Sequence, residues 1–270
     1  MTRALVLGGG GIAGIAWETG LLHGLSESGV DVVGADRFVG TSAGSTVAAQ
    51  ITSGVPLAQL YRRQVDPAAQ TPEIPAVIDE DVLVALNGGP GDARRIGELA
   101  LAARTVPEAQ RRAVIEARLP VHEWPAADLR IVAVDTATGE ERVFTAGSGA
   151  GLVDAVAASC AVPGTWPPVT IGDRRYMDGG VRSMENADLA GGCDRVLVLQ
   201  AMELPDDPRL AHEVARLRAA GSRVLVVRPD EATVAAIGPN PLDPSVRGAA
   251  AKAGFEQAES VSAAVAEVWR

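Results

Sequence analysis

A serine between two glycines is the first group in this sequence that could carry out covalent chemistry. Residues 40–44 read GTSAG, so Ser42 is the centre of a G-x-S-x-G pattern. A short apolar segment precedes it, and the small residues of 42–54 predict a helix after it. A strand–turn–helix context is what a nucleophile elbow requires, because the sharp turn exposes the serine Oγ at a helix N-terminus. Gly40 and Gly44 would let the strand and helix approach this turn.

A serine becomes a useful nucleophile only with a base nearby. The three histidines of the chain are His23, His122 and His212, and each is predicted to be structural or superficial. One alternative stays open, because Ser42, Asp178 and His212 follow the chain order of an α/β-hydrolase triad. Such a histidine normally lies on a loop after a strand, whereas His212 lies in a predicted amphipathic helix.

A second candidate for the base is an aspartate at the end of a predicted strand. Residues 173–180 read DRRYMDGG, so that Asp178 is followed directly by Gly179 and Gly180. Strand ends are where α/β sheets place their ligands. Asp-Gly is also a common turn, so the motif gains its meaning from the other motifs around it.

The glycine-rich segment at 8–14, GGGGIAG, allows two interpretations. Gly9, Gly11 and Gly14 fit the G-x-G-x-x-G dinucleotide fingerprint, in which a helix N-terminus binds pyrophosphate. The same N–H groups could instead stabilise the oxyanion of an acyl-transfer reaction. The dinucleotide reading requires an acid at the end of the second strand, but Asp36 begins that strand. The pattern therefore favours an oxyanion hole.

The elements that must position these motifs predict an α/β fold with a mostly parallel sheet. Two strands are predicted at 194–200 and 222–229, on either side of a helix at 208–220. Such a β-α-β unit implies parallel pairing of the two strands. A helical insertion is predicted at about 60–128, and residues 1–270 are predicted to form one domain. The remaining predicted elements are strands at 3–7, 36–40, 128–135 and 139–147, helices at 15–28 and 153–160, two or three helices within 79–118 around a turn at 87–93, and a mostly helical tail from 241 to 270.

Composition limits the partners. The chain has 270 residues, 47% of them hydrophobic, and a net charge of −10. That charge argues against a nucleic acid partner. Cys160 and Cys193 match no metal-binding spacing and are predicted to be buried thiols. No apolar run reaches the ~20 residues of a membrane-spanning helix, and the expected location is cytoplasmic.

Taken together, the motifs resemble those of the patatin-like phospholipases. GGGGIAG, GTSAG and DGG occur in that family's order, and the segments 158–169 and 178–190 resemble the blocks on either side of its catalytic aspartate. The resemblance covers most of residues 3–200. It implies a three-layer α/β/α sandwich and hydrolysis of lipid acyl esters.

The resemblance also implies roles for individual residues. Ser42 would be the nucleophile, Asp178 its general base, and the N–H groups of Gly10, Gly11 and Ile12 the oxyanion hole. No metal or cofactor is implied, and the expected partner is a lipid or small ester, with transient contact with a membrane surface. The glycines expected to support the motifs are Gly9, Gly14, Gly40, Gly44, Gly179 and Gly180.

One position departs from the family pattern. The family commonly has a basic residue before the last glycine of the first motif, and here that position is Ala13. The missing charge puts a preference for phospholipid in doubt, although Arg182 could replace it. Two other functions stay open at this point: a non-catalytic acyl binder on the same fold, and a dinucleotide-binding oxidoreductase.

Overall fold

The computed structural model of the chain describes residues 1–77, 93–204 and 207–270. These residues form an eight-stranded sheet and nine α-helices. The strands are β1 (Arg3–Leu7), β2 (Arg37–Thr41), β3 (Asp128–Asp135), β4 (Glu141–Phe144), β5 (Val169–Ile171), β6 (Arg174–Asp178), β7 (Arg195–Leu199) and β8 (Arg223–Val227). The helices are α1 (Gly11–Glu27), α2 (Ala43–Ile51), α3 (Leu57–Val65), α4 (Ala93–Ala102), α5 (Glu108–Arg118), α6 (Leu152–Ser159), α7 (Arg209–Ala219), α8 (Glu231–Ile237) and α9 (Arg247–Trp269).

The sheet is mixed, with a parallel centre. Strands β8, β7, β1, β2 and β3 pair in that order and are all parallel. Strands β4 and β6 both pair antiparallel with β3, and β5 pairs antiparallel with β6. The predicted β-α-β unit is confirmed, because α7 connects the parallel strands β7 and β8.

Helices cover both faces of the sheet, so the central strands are buried on both sides. In β1, Leu5 and Leu7 belong to a core that includes residues of α1, α2 and α9. The alternate residues Ala4 and Val6 belong to a second core with the apolar side of α7. This period of two is the geometry of a β-strand, and burial on both faces explains the nearly continuous apolar sequence of β1. The predicted α/β/α sandwich is therefore confirmed.

Helix α1 begins at Gly11, four residues before its predicted start. Apolar periodicity predicts the helix only from Ile15, because the preceding glycines carry no side chain that could reveal it. Gly11 has a φ of 61°, which favours glycine. Further along, Gly20 packs directly on α9, where a Cβ would overlap the carbonyl of Ala251.

The described part of the insertion contains helices and irregular segments, with no strand before β3. Helices α4 and α5 confirm two of the helices predicted within 79–118. The segment 78–92 lies outside the described residues, and with it almost all of the turn predicted at 87–93. Helix α5 packs against α6, the helix that ends immediately before Cys160. The insertion is thereby brought close to the ends of β2 and β6.

Candidate active site

Ser42 occupies a strained turn between β2 and α2. Its φ is 52° and its ψ −114°, a left-handed conformation that non-glycine residues rarely adopt. The neighbouring Gly44 permits this turn, because a Cβ there would overlap the carbonyl of Leu7. The Gly44 N–H donates instead to the carbonyl of Gly8 at 2.9 Å. This sharp connection between strand and helix is the predicted elbow.

The backbone of Ser42 is held from several sides. Its N–H donates to Ser159 Oγ at 2.9 Å. Its carbonyl accepts from Ser45 Oγ at 2.7 Å and from Cys160 Sγ at 3.1 Å. Strained conformations persist only where the surroundings fix them, and these bonds provide that support. Cys160 therefore contributes to the site, a role that its sequence context did not indicate.

Strand β3 positions Asp178 relative to this elbow. Strand β4 pairs with residues 131–134 of β3, and β2 pairs with residues 128–132. Both strands pair with residues 131 and 132 of β3, so β2 and β4 must lie on opposite edges of that strand. Strand β6 pairs with residues 133–135, which overlap those of β4. Therefore β6 lies on the same edge as β2 and begins its pairing where β2 ends.

The two strand ends consequently meet head to head. Thr41, the last residue of β2, pairs with Val132, and Asp178, the last residue of β6, pairs with Ala133. Because β6 is antiparallel to β3, Asp178 approaches from the direction opposite to β2. Asp178 lies at a strand end, as the sequence predicts, but the sequence does not indicate the antiparallel direction of β6 that brings this residue next to Ser42.

The carboxyl of Asp178 lies in a site that disfavours its charge. The side chain is 5% exposed, and Oδ1 accepts from the Gly180 N–H at 2.8 Å. Burial raises the pKa of Asp178 to about 7, against opposing effects of the Gly180 N–H, the Ser42 hydroxyl and the Arg111 charge. The Ser42 hydroxyl is near enough to lower this pKa, yet Oδ2 has no hydrogen-bond partner in the described chain. That oxygen is available as a proton acceptor.

Asn186 ties the two strand ends together. It is fully buried, and its Nδ2 donates to Thr41 Oγ1 at 3.0 Å and to the Gly179 carbonyl at 3.3 Å. The same amide donates to the carbonyl of Ser183 at 2.6 Å. Thr41 precedes the candidate nucleophile and Gly179 follows the candidate base. Asn186 therefore links the two strand ends by hydrogen bonds, in addition to their pairing with β3.

The N-terminus of α1 presents free N–H groups. The N–H groups of Gly9 and Ala13 donate to the carbonyls of Met184 and Pro241 at 2.8 and 3.0 Å. The three residues between them find no acceptor in the described parts of the chain. These are the predicted donors Gly10, Gly11 and Ile12. Helix N-termini with unpaired N–H groups favour negative charge.

The motif residues surround one cavity. The first motif, Ser42 and the Asp178–Gly180 turn all contribute to its wall. Apolar side chains complete much of the wall, as expected of a site for an acyl chain. The lining includes Gly10, Gly11, Ile12, Ile15, Ser42, Arg111, Arg118, Cys160, Trp166, Asp178, Gly180, Met184, Met202 and Leu242.

The histidines lie elsewhere. His23 packs against the rings of Tyr61 and Phe255, with centroids 5.0 and 5.3 Å away. The Nε2 of His122 is 3.1 Å from a backbone carbonyl of α5, and His212 is exposed on α7. None of the three lines the cavity. The geometry thus offers no support for the alternative triad through His212.

The two positions considered for a basic residue are not at the cavity. Ala13 is fully buried and packs with Ala250 and Ala251 of α9, so its side chain belongs to a helix interface. Arg182 forms 2.6 Å ion pairs with Asp188 and Glu141 and does not line the cavity. The Arg182 alternative is therefore not supported.

Two arginines line the cavity, and the sequence analysis did not predict either of them as a site residue. Arg111 and Arg118 project from α5 of the insertion. Their spacing with Ile115, at i, i+4 and i+7, places all three on one helix face, and all three are buried. That spacing was the available signal, but it does not show where the helix packs.

The described residues contain neither a cluster of metal ligands nor a helix that could span a membrane. No group of three or more His, Cys, Asp or Glu side chains in 1–77, 93–204 and 207–270 could hold a metal ion. In the same residues, no helix is long and apolar enough to cross a bilayer.

Comparison with known proteins gives one family and one shared fold. The model of the family described as patatin-like phospholipase matches residues 5–190. VipD from Legionella pneumophila is similar in structure, with a TM-score of 0.51 and 15% identity over 97% of this chain and 67% of VipD. The type III effector protein ExoU gives a TM-score of 0.37 and 15% identity over 96% of this chain and 53% of ExoU. No curated protein matches the chain significantly.

Proposed function

The chain belongs to the patatin-like phospholipase family, and on that basis we propose that it is a serine acyl hydrolase that cleaves carboxylic esters of lipids. The observation that carries this proposal is the meeting of two strand ends on one edge of β3. That meeting places the strained Ser42 beside the buried carboxyl of Asp178, at a cavity that also contains the N-terminus of α1.

In the proposed first step, Asp178 Oδ2 accepts the proton of the Ser42 hydroxyl as Oγ attacks the ester carbonyl carbon. The carbonyl oxygen becomes an oxyanion, which the N–H groups of Gly10, Gly11 and Ile12 stabilise. The intermediate collapses with breakage of the ester C–O bond, and the leaving alkoxide takes the proton from Asp178. The acyl group is then bonded to Ser42.

In the second step, water attacks the acyl-enzyme. Asp178 accepts a proton from this water, the oxyanion forms again in the same place, and collapse returns the proton to Ser42 Oγ. The carboxylic acid leaves. A base with a pKa of about 7 suits both steps, because it is largely ionised just above neutrality and still basic enough to accept a proton.

Two parts of this proposal concern the whole chain. We treat residues 1–270 as one domain, because α9 packs on α1 through contacts such as Gly20 with Ala251. A cytoplasmic location stays a prediction, with which the buried free thiols of Cys160 and Cys193 are compatible.

The hydrolase proposal is tested by turnover of p-nitrophenyl butyrate. We expect Ser42→Ala and Asp178→Asn each to lose at least about 10³-fold in kcat, as is typical when a nucleophile or its base is removed. His212→Ala, on the exposed face of α7, is the matched control and retains wild-type turnover. Equal loss in His212→Ala would replace the dyad with a triad. A folded wild type that binds fatty acid but does not turn over ester would favour the acyl binder.

The oxidoreductase alternative has its own test. Calorimetric titration with NAD or NADP would show heat of binding if GGGGIAG held a pyrophosphate. The structure gives this reading little support, because Asp36 accepts a hydrogen bond from the Arg3 N–H at 2.7 Å before β2 begins. It is not at the carboxyl end of β2, where an acid would contact a ribose.

A further inference from the structure

Arg111 is a buried cation whose Nε and Nη1 have no hydrogen-bond partner among residues 1–77, 93–204 and 207–270. Its side chain is 5% exposed. The next residue, Arg112, is a useful contrast, because it is half-exposed and donates to Asp154 at 2.7 Å. Buried polar groups are normally paired, so an unpaired guanidinium in a cavity wall calls for a ligand.

The Arg111 guanidinium stacks on the ring of Trp166. The guanidinium carbon lies 3.9 Å from the centroid of this ring, and both residues line the cavity that contains Ser42. Stacking covers one face of the planar group. The in-plane N–H donors are left for hydrogen bonding, in the fork geometry that matches a carboxylate or phosphate.

The neighbouring carboxylate, Glu73, forms ion pairs with two other arginines. Glu73 is 2% exposed in its side chain and bonds Arg118 at 2.7 Å and Arg247 at 2.7 Å. One carboxylate thus serves two buried arginines, and none of its oxygens is within hydrogen-bond distance of Arg111. The cluster therefore has an excess of positive charge toward the cavity.

The other carboxyl that acts on Arg111 is Asp178, which the proposed mechanism uses as a base. Burial lowers the pKa of Arg111 to about 9, so the guanidinium is still charged at neutral pH. Leaving a buried charge unpaired is costly. An anion that entered the cavity would remove that cost.

We propose that Arg111 binds an anionic group of the substrate, a phosphate or a carboxylate, close to the ester that Ser42 attacks. This inference rests on the proposed hydrolase function and adds a substrate class to it. It also identifies a residue from the insertion, Arg111, that supplies a positive charge to the cavity where Ala13 does not. Arg111 is then a specificity-determining residue.

The test compares two substrates with the same scissile ester, 1-palmitoylglycerol and 1-palmitoylglycerol 3-phosphate. Palmitate release gives kcat/KM for each, and their ratio measures the preference for the anion. We expect wild type to favour the phosphate, and Arg111→Gln to lower the ratio roughly 10- to 100-fold, the range for a charge-assisted hydrogen bond. Arg111→Lys, which keeps the charge, should retain part of the preference.

Arg112→Gln is the matched control, since it removes the same charge from the same helix outside the cavity. Its ratio should equal that of wild type. A second pair of esters, p-nitrophenyl butyrate and mono-p-nitrophenyl glutarate, distinguishes a carboxylate from a phosphate. If the anionic group of the substrate is a carboxylate, Arg111→Gln should lower the kcat/KM ratio more for this pair than for the palmitoyl pair.

Ratios that stay the same in Arg111→Gln for both pairs would overturn the inference, including the case in which all rates fall together. The thermal midpoint of each variant shows that it is folded. A wild type that cleaves none of the four esters would instead overturn the proposed hydrolase function, so the two failures are distinguishable.

Discussion

Thr41 and Asp178 lie end to end along one edge of β3, where they pair with the consecutive residues Val132 and Ala133. The parallel strand β2 stops at Thr41, and the antiparallel strand β6 arrives from the opposite direction and stops at Asp178. A single strand thus sets the distance between the elbow and the buried carboxyl. In the proposed mechanism, this register brings the Asp178 carboxylate to Ser42, and the carboxylate acts as the base in place of the loop histidine of an ordinary triad.

The first prediction concerns pH. A general base works in its ionised form, so the activity it supports is lost as the pH falls below its pKa. With Asp178 at about 7, kcat/KM for p-nitrophenyl butyrate should rise through neutrality and level off near pH 8. Initial rates from pH 5 to 9 check this. Rates that are already constant from pH 5 upward, as an aspartate with an ordinary pKa would give, would contradict the assignment of Asp178 as base.

The second prediction concerns Asn186 as a positioning residue. Asn186→Ala removes the three hydrogen bonds of Nδ2 and should lower kcat more than it raises KM, with roughly 1–3 kcal/mol lost from the free energy of unfolding. Asn186→Gly, which suits the φ of 52° at this position, separates backbone strain from the lost amide. Thr41→Val removes one of these acceptors, together with the 3.5 Å bond from Thr41 Oγ1 to the Glu185 carbonyl, and should have a smaller effect. A destabilised Asn186→Ala with wild-type kcat would show that the amide is merely structural.

The third prediction concerns Ala13. Because Ala13 is fully buried against Ala250 and Ala251, Ala13→Arg should overpack the α1–α9 interface and not place a charge in the cavity. Overpacking typically costs about 1–3 kcal/mol, so the thermal midpoint should fall by several degrees. Ala264→Arg, at an exposed position of α9, is the control. A stable Ala13→Arg variant with increased preference for anionic esters would contradict this packing.

The fourth prediction concerns Glu185, which is 2% exposed. Burial, together with Glu213 and Asp207, raises the pKa of Glu185 to about 8 from an ordinary value of 4.5. Between these values the unfolded chain releases a proton that the folded chain keeps, so the free energy of unfolding falls as the pH rises. Above about pH 8 this contribution is constant.

Glu185→Gln lacks that titration and should lose less stability than wild type between pH 5 and pH 8.5. Urea unfolding at the two pH values measures the difference, which is about 1.4 kcal/mol for each unit of pKa shift. The exposed Glu259→Gln should behave as wild type. Parallel losses in wild type and Glu185→Gln would contradict a buried neutral carboxyl at this position.

The motifs were predictable because each is local. The apolar segment before Ser42, the glycines at 40 and 44 and the helix after them define a strand–turn–helix unit without reference to the rest of the chain. The same holds for the α7 unit between β7 and β8. Family resemblance then supplied the roles proposed for Ser42 and Asp178, because the individual patterns left a triad and a dinucleotide site open.

The remaining features depend on long-range packing. The edge of β3 on which β6 pairs depends on where β4 has paired, and a short strand such as RRYMD has no sequence pattern that distinguishes its two directions. Arg111 was missed because helical spacing shows which residues share a face but not what that face contacts. The start of α1 was missed because glycine has no side chain to mark a helical period.

The central claim is that Ser42 is a nucleophile activated by Asp178, and reaction with a fluorophosphonate ester tests it most directly. Mass spectrometry of the intact protein and of its peptides should show a single adduct at pH 8, located on Ser42. Ser42→Ala should show none, and Asp178→Asn should label more slowly by at least about 10²-fold. An adduct on another residue, or labelling of Asp178→Asn at the wild-type rate, would contradict the account.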